Sequence, residues 1–263
     1  MSNIQYGSRP LHTPARIFLF GDVHNEADKL MSVLDKITPE VGPEDHIVFC
    51  GDLVDRGPDA ALTLETLVEL CKRFPTQVFF VEGNHDLMLR DYLSRGSTMW
   101  LQYLQPTLDQ LKARWNLSDT SPQTIALGLL AHDYKEITSR MVPYYETPEL
   151  IATHAPFDRT VVEMNGGRDY KEDYEEYVKD PVNNGPFRYL LDKMIHELKW
   201  QFTDEYIEFP WIEKFRVCGH QAGRGLHPRL YKDRAYIDTA CGLRPNGRLT
   251  CFKYPARQYV QSD

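Results

Sequence analysis

Side chains able to bind hard or borderline cations recur at the ends of short apolar runs in this sequence. Asp22 and His24 stand two apart in LFGDVHN. Asp52 follows a second run in FCGDLVDRG, Asn84 and His85 follow a third in VEGNHD, and His154 and His220 close later runs in LIATHA and FRVCGH. Carboxylate oxygen, imidazole nitrogen and amide oxygen suit manganese, iron or zinc, and the absence of cysteine from the set argues against a purely structural zinc site. An isolated Asp-x-His is ordinarily a polar turn or helix start, with Asn25 or Asp28 as cap or first-turn acid. The case for a metal site therefore rests on the whole set.

A carboxylate can bridge two ions, and Asp52, on the middle strand, is the natural bridge. One ion would take Asp22, His24 and Asp52; the other would take Asp52, Asn84, His154 and His220. Two ions roughly 3.5 Å apart can share a water, lower its pKa and hold it in line with a phosphorus atom, while neutralising the phosphate oxygens. GDLVDRG offers the remaining parts. Arg56 can fork onto phosphate oxygens, and Asp55 can keep the His85 ring oriented and protonated, so that His85 donates its proton to the leaving alkoxide as general acid. Taken alone, Asp55 and Arg56 would be a surface ion pair.

The elements that must position these groups follow from periodicity. Residues 16–20 and 46–50, and then QVFFVEGNHD, are short apolar runs that each end in a polar motif, as buried strands of a mainly parallel sheet do. Between them Leu30, Val33, Leu34 and Ile37, and then Leu67, Leu70, Cys71 and Phe74, fall at helical spacing. In open α/β sheets with right-handed crossovers the carboxyl ends of the strands converge, which brings the three motifs together. After residue 90 the pattern turns helical, with MWLQYLQPTLDQLKARW amphipathic but broken by Pro106 and its tryptophans, Trp100 and Trp115, expected to pack. The runs ELIATHA, FRVCGH, RAYIDTA and LTCFKY return to strand. Residues 166–185 form an acidic, tyrosine-rich stretch that is expected to be an exposed excursion, with a substrate-facing lid as the alternative.

The 263 residues, 42% hydrophobic and 26% charged, are enough for one α/β domain, expected over residues 16–263 after an N-terminal extension at 1–15. The first apolar run is too short for a signal peptide or a membrane span, so a cytoplasmic protein is expected. Five cysteines without Cys-x-x-Cys spacing suggest small buried hydrophobes rather than disulfides. A net charge of −8 argues against an extended nucleic-acid surface but leaves room for a phosphorylated protein or small nucleotide held by a few arginines.

GDVHN, GDLVDRG, GNHD, ATHA and VCGH, in this order, resemble the motifs of calcineurin-like metallophosphoesterases of the serine/threonine phosphoprotein phosphatase branch. The match covers about residues 16 to 254 and is similar to small bacterial and bacteriophage enzymes and to symmetrical diadenosine tetraphosphate hydrolases; RAYIDTACG extends it. The resemblance implies a four-layer α/β fold with a central β-sandwich of mixed sheets flanked by helices. It also implies two divalent ions, with manganese favoured jointly by the ligand set. A second phosphate-binding arginine would lie between the two late histidines; Arg188 is the leading candidate, with Arg159 and Arg168 as alternatives. Two positions depart from the pattern. Asn25 stands where the family has glycine, although Asn tolerates left-handed backbone, and Asp86 replaces the commoner glutamate, as in the dinucleotide hydrolases.

The expected activity is hydrolysis of phosphomonoesters, phosphoserine or phosphothreonine on proteins, by direct attack of the shared water. The alternative is a dinucleoside polyphosphate hydrolase or nucleic-acid-end phosphatase, for which Phe157, Tyr174, Tyr177 and Arg224 are candidate contacts. A non-catalytic scaffold would show lost ligands, and none is lost.

Overall fold

The computed structural model of the chain describes residues 14–142, 144–156 and 214–263. The first run forms β1 (Ile17–Phe20), followed by α1 (Ala27–Ile37), β2 (His46–Phe49), α2 (Ala60–Arg73) and β3 (Val78–Val81). Then come α3 (Asn84–Arg95), α4 (Leu101–Arg114), α5 (Pro122–Ala131) and the single turn α6 (Lys135–Thr138). Strands follow: β4 (Met141–Val142), β5 (Tyr145–Glu146), β6 (Leu150–Thr153), β7 (Phe215–Cys218), β8 (Arg229–Leu230), β9 (Arg234–Tyr236), β10 (Thr250–Tyr254) and β11 (Gln258–Gln261).

Two mixed sheets result, one ordered β11-β10-β1-β2-β3-β4 and the other β5-β6-β7-β9-β8. β1, β2 and β3 run parallel, as do β6, β7 and β9. The first strands are apolar at every position because each face meets a different partner. Phe18 and Phe20 of β1, and Ile47 and Phe49 of β2, join the core beneath the helices, whereas Ile17, Leu19 and Val48 face Leu150, Val217 and Ala235 of the second sheet. The described helices all pack on the first sheet, so helix layer, sheet and sheet account for three of the four expected layers within the described residues. All five cysteines are buried and free.

Pro106 does not break α4. The hydrogen bond it removes would have ended on the carbonyl of Gln102, and both residues lie on the exposed side of the helix, where water replaces the missing donor. Leu104, Leu108 and Leu111 hold the opposite side in the core. Trp115 packs at the edge of that core, stacks on His132 at 4.2 Å and donates its indole N–H to Glu65 at 2.8 Å.

Phe49 stacks on Phe20 at 4.6 Å and on Phe80 at 5.2 Å, a ladder across β1, β2 and β3 just before the motifs at the strand ends. Phe49→Ala is expected to lower the unfolding free energy by ~3–5 kcal/mol. Urea denaturation checks this; a loss below about 1 kcal/mol would show that the ladder does not anchor the sheet.

Candidate active site

The three parallel strands deliver their motifs to one edge. β1 leads through Gly21 into Asp22 and His24, β2 leads through Cys50 and Gly51 into Asp52, and β3 leads into α3, whose first two residues are Asn84 and His85. From the second sheet, β6 delivers His154 and β7 delivers His220. Asp22, His24, Asp52, Asp55, Arg56, Asn84, His85, His154 and His220 therefore converge, whereas Arg224, also described, has no side-chain contact that joins it to them. Arg188 lies outside the described residues, as do Arg159, Arg168, Phe157, Tyr174, Tyr177 and the stretch 166–185.

Asp52 is at the centre. Its Oδ2 lies 3.5 Å from His24 Nε2 and its Oδ1 3.4 Å from His154 Nε2, so the two oxygens face different donor groups. Asp22 Oδ2 is 3.8 Å from His24 Nε2, and Asn84 Oδ1 and His220 Nδ1 lie 3.0 and 3.2 Å from His154 Nε2. Two overlapping groups result: Asp52 with His154 and His220, and Asp52 with His24 and His85, the donor atoms of each lying within 4.8 Å of one another.

The ring tautomers follow from what the other nitrogens touch. His24 Nδ1 is 2.9 Å from the Val54 carbonyl and His154 Nδ1 is 2.7 Å from the Cys50 carbonyl, so each Nδ1–H donates outward. Each Nε2 then presents a lone pair toward the carboxylate oxygens of Asp52. Lone pairs and anionic oxygens brought this close fit a shared cation, and carbonyl-bound Nδ1–H is the usual outer support of a metal-binding histidine. Burial lowers the His24 pKa to about 3, with Arg56 and His85 acting against Asp52, and burial, with the His154 ring alongside, lowers His220 to about 3. Neutral rings are what ligation needs. Burial and the charges of Asp238 and Asp52 raise Asp22. Burial would raise Asp52 too, but the surrounding histidines outweigh it and hold it low.

His85 differs from the other rings. Its Nδ1 donates to Asp55 Oδ2 at 2.7 Å and its Nε2 lies 3.2 Å from Arg56 Nη2. Burial works against its protonation, yet the charge of Asp52 and the hydrogen bond and charge of Asp55 prevail and raise its pKa. A ring held by a carboxylate on one side and a guanidinium on the other suits proton transfer better than cation binding. Asp55 and His85 are buried, and Arg56 is exposed.

Several supporting groups were not evident from the sequence. Asp86 accepts from the backbone N–H groups of Asp52, Leu53 and Gly83 at 2.9, 3.0 and 3.0 Å, fastening the second motif to the third. Burial and Asp52 push its pKa up to about 7, against those donors. Thr107 and Gln110 of α4 reach the loop that carries Asp55 and Arg56: Thr107 Oγ1 donates to Asp55 Oδ1 at 2.7 Å, and Gln110 bonds Ala60 N at 2.8 Å and Gly57 O at 2.9 Å. Their sequence signal is two polar residues beside the apolar stripe Leu104, Leu108 and Leu111. Asn25 does not cap α1, which begins after Glu26 without a side-chain cap. It takes the left-handed φ of 55° and turns its amide to Thr107.

A metal-supporting cluster at the strand ends of a two-sheet α/β fold, beside an Asp–His pair and an exposed arginine, is the arrangement of a phosphate-ester hydrolase. The chain belongs to the calcineurin-like phosphoesterase family, whose profile matches residues 15–224. Members of this family are binuclear metal enzymes. Over 251 residues the chain is 28% identical to the bis(5'-nucleosyl)-tetraphosphatase PrpE (asymmetrical) of Halalkalibacterium halodurans, covering 92% of this chain and 91% of the relative. Similarity to a PP2A-like serine/threonine-protein phosphatase of Candida albicans is 33% over only 73 residues, 27% of this chain and 16% of that one. The cold-active protein-tyrosine phosphatase of a psychrophilic Shewanella has the same fold, with a TM-score of 0.55 over 98% of this chain and 82% of that one, at 14% identity. The full-length relative carries the asymmetrical designation, whereas the motifs had suggested the symmetrical hydrolases. Among the described residues no helix is long and apolar enough to cross a membrane.

Gly219, just before His220, has no room for a side chain: a Cβ there would lie 2.2 Å from Asp22 Oδ1. That carboxylate accepts from His220 N at 2.9 Å. Gly219→Ala is expected to displace Asp22, reduce bound metal and cut phosphatase turnover ~100-fold while leaving the fold intact. Metal analysis with nitrophenyl phosphate turnover checks this, and unchanged values for both would contradict the packing argument.

Proposed function

We propose that the protein is a binuclear metallophosphoesterase that hydrolyses dinucleoside polyphosphates, with Asp22, His24 and Asp52 holding one divalent ion and Asp52, Asn84, His154 and His220 the other. Manganese is the proposed metal, with iron or zinc as alternatives for the same donors. The observation that carries the site assignment is the Asp52 carboxylate, whose two oxygens face two sets of inward lone pairs. When bound, the cations supply charge neutralisation on phosphate oxygens and a water more acidic than bulk solvent.

The chain's own residues account for the rest. Arg56 rests on His85 Nε2 and needs another acceptor once that nitrogen is protonated, because two cations then face each other. A phosphate oxygen is such an acceptor, so substrate binding and protonation of His85 favour one another. His85 then delivers its Nε2 proton to the leaving oxygen, while Asp55 holds the ring through Nδ1. Arg188 is proposed as a second phosphate contact. We also propose one domain over residues 16–263, preceded by an extension at 1–15; the pairing of β10 with β1 supports this, since it joins both ends of that span in one sheet. A cytoplasmic setting accords with five free cysteines.

The substrate class rests on extent of similarity. The tetraphosphatase relative matches along nearly the whole chain, and the protein phosphatase only over a short part. Charge points the same way. Residues 214–263 carry ten Lys and Arg against three Asp and no Glu; Lys214 pairs with Glu146, Arg216 and Arg234 with Asp233, and Lys253 with Glu40, so only the remaining cations bear on a substrate. Arg224 and Arg244 belong to this segment: Arg244 donates to the Arg224 carbonyl at 3.1 Å, four residues after His220, and follows Gly242, which abuts His24. A polyphosphate chain needs cations beyond those that hold one phosphate.

The test is kcat/KM of the manganese-loaded protein for diadenosine tetraphosphate and for a phosphothreonine peptide. A preference for the dinucleotide of at least about tenfold (~1.4 kcal/mol) is expected, with adenosine tri- and monophosphate as products of unequal cleavage. A preference for the peptide would overturn the substrate assignment and favour a phosphoprotein phosphatase; two diphosphates would instead identify symmetrical cleavage.

A further inference from the structure

We infer that Thr107, on α4 and outside every metal-site motif, is a positioning residue for the Asp55–His85 pair, and that Asn25 orients its hydroxyl. This rests on the assignment of His85 as general acid.

The hydrogen bonds fix the direction of the relay. A threonine hydroxyl has one proton and two lone pairs. Thr107 Oγ1 lies 2.8 Å from Asn25 Nδ2, 3.2 Å from Asp55 N and 2.7 Å from Asp55 Oδ1. The carboxylate only accepts, so the hydroxyl proton goes to Asp55 Oδ1, and the two lone pairs take the N–H groups of Asn25 and Asp55. All three capacities are used. The other oxygen of Asp55 holds His85 Nδ1 at 2.7 Å. Asn25, Thr107 and Asp55 are wholly buried and His85 is 2% exposed, so water does not compete for these bonds.

The relay has a cost that stability alone does not explain. Asn25 Oδ1 is buried without a hydrogen-bond partner, and Asn25, Asp55 and Arg56 all sit at positive φ, 55°, 73° and 68°. A threonine inside a helix usually turns its hydroxyl back to the preceding turn; here it points to the loop that carries Asp55. A carboxylate held at both oxygens cannot rotate, and the ring hydrogen-bonded to it keeps its aim. Without the Thr107 proton, Asp55 Oδ1 loses a buried donor, and the carboxylate is free to turn away from Nδ1.

The experiment compares Thr107→Val, Thr107→Ser and His85→Asn on two esters, a phosphothreonine peptide with a poor leaving group and 4-nitrophenyl phosphate with a good one. His85→Asn is expected to impair the peptide far more than the nitrophenyl ester. Thr107→Val should show the same bias at ~10- to 100-fold lower kcat on the peptide, with KM little changed, and Thr107→Ser should restore it. The Nδ1 proton resonance of His85, followed by NMR in the zinc-loaded protein, should move upfield in Thr107→Val and return in Thr107→Ser. Should Thr107→Val not fold, Asn25→Gly carries the same readouts in the same direction with a smaller effect. Equal losses on both esters, or an unmoved resonance, while His85→Asn keeps its bias would overturn the relay and leave the acid assignment standing. No bias in His85→Asn would overturn both.

Discussion

Asp52 occupies a left-handed backbone conformation, φ 53°, directly after Gly51 at φ 97°, and its carboxylate sits at the N-terminus of α3, where Oδ1 accepts from His85 N at 2.9 Å. The conformation costs of order ~1–3 kcal/mol and persists only because its surroundings over-determine it. The Asp52 carbonyl takes the N–H groups of Val23 and His24 at 3.0 and 2.9 Å, and its own N–H goes to Asp86. The first, second and third motifs are thus tied together through one residue. With the backbone held from both sides, the carboxylate can face two groups of donors at once. Gly83 is required by the same crowding, since a Cβ there would lie 2.2 Å from Asp52 N.

What the sequence made legible, and what it did not, divides along a physical line. Asp22, Asp52 and Asn84 could be placed because short apolar strands end abruptly, and the residue after a buried strand in a parallel sheet emerges at its ligand-binding edge. The same strands concealed which face meets helices and which meets the second sheet, because Phe18 and Leu19 are equally apolar. Pro106 misled because a proline's effect depends on which carbonyl it strands, and here that carbonyl faces water. Thr107 and Gln110 act across distances in the chain that no local pattern encodes, hinted at only by polar residues beside an apolar helical stripe; Asp86 caps its own helix locally at Gly83 N, but its reach to Asp52 and Leu53 is equally hidden.

Asn25 connects these themes. Glycine would satisfy the left-handed turn after His24 with less strain. Asparagine keeps the turn and adds an amide that reaches α4, so a departure from the family pattern becomes a link, through Thr107, between the loop after β1 and the Asp55–His85 pair. α4 is thereby more than a covering helix: through Thr107 and Gln110 it fixes the loop from Asp55 to Ala60. The site has two supports of different kinds, backbone ties around Asp52 and side-chain ties from α4 around Asp55.

The central claim is that Asp52 joins two cation sites, and metal stoichiometry tests it most directly. Wild-type protein and Asp52→Asn, each loaded with manganese, freed of loose metal and analysed by mass spectrometry, should differ: two ions per chain in the wild type, and one or none in the variant, with the fold retained by circular dichroism. Two ions in both proteins would contradict the bridging role of Asp52, and one ion in the wild type would contradict a binuclear centre.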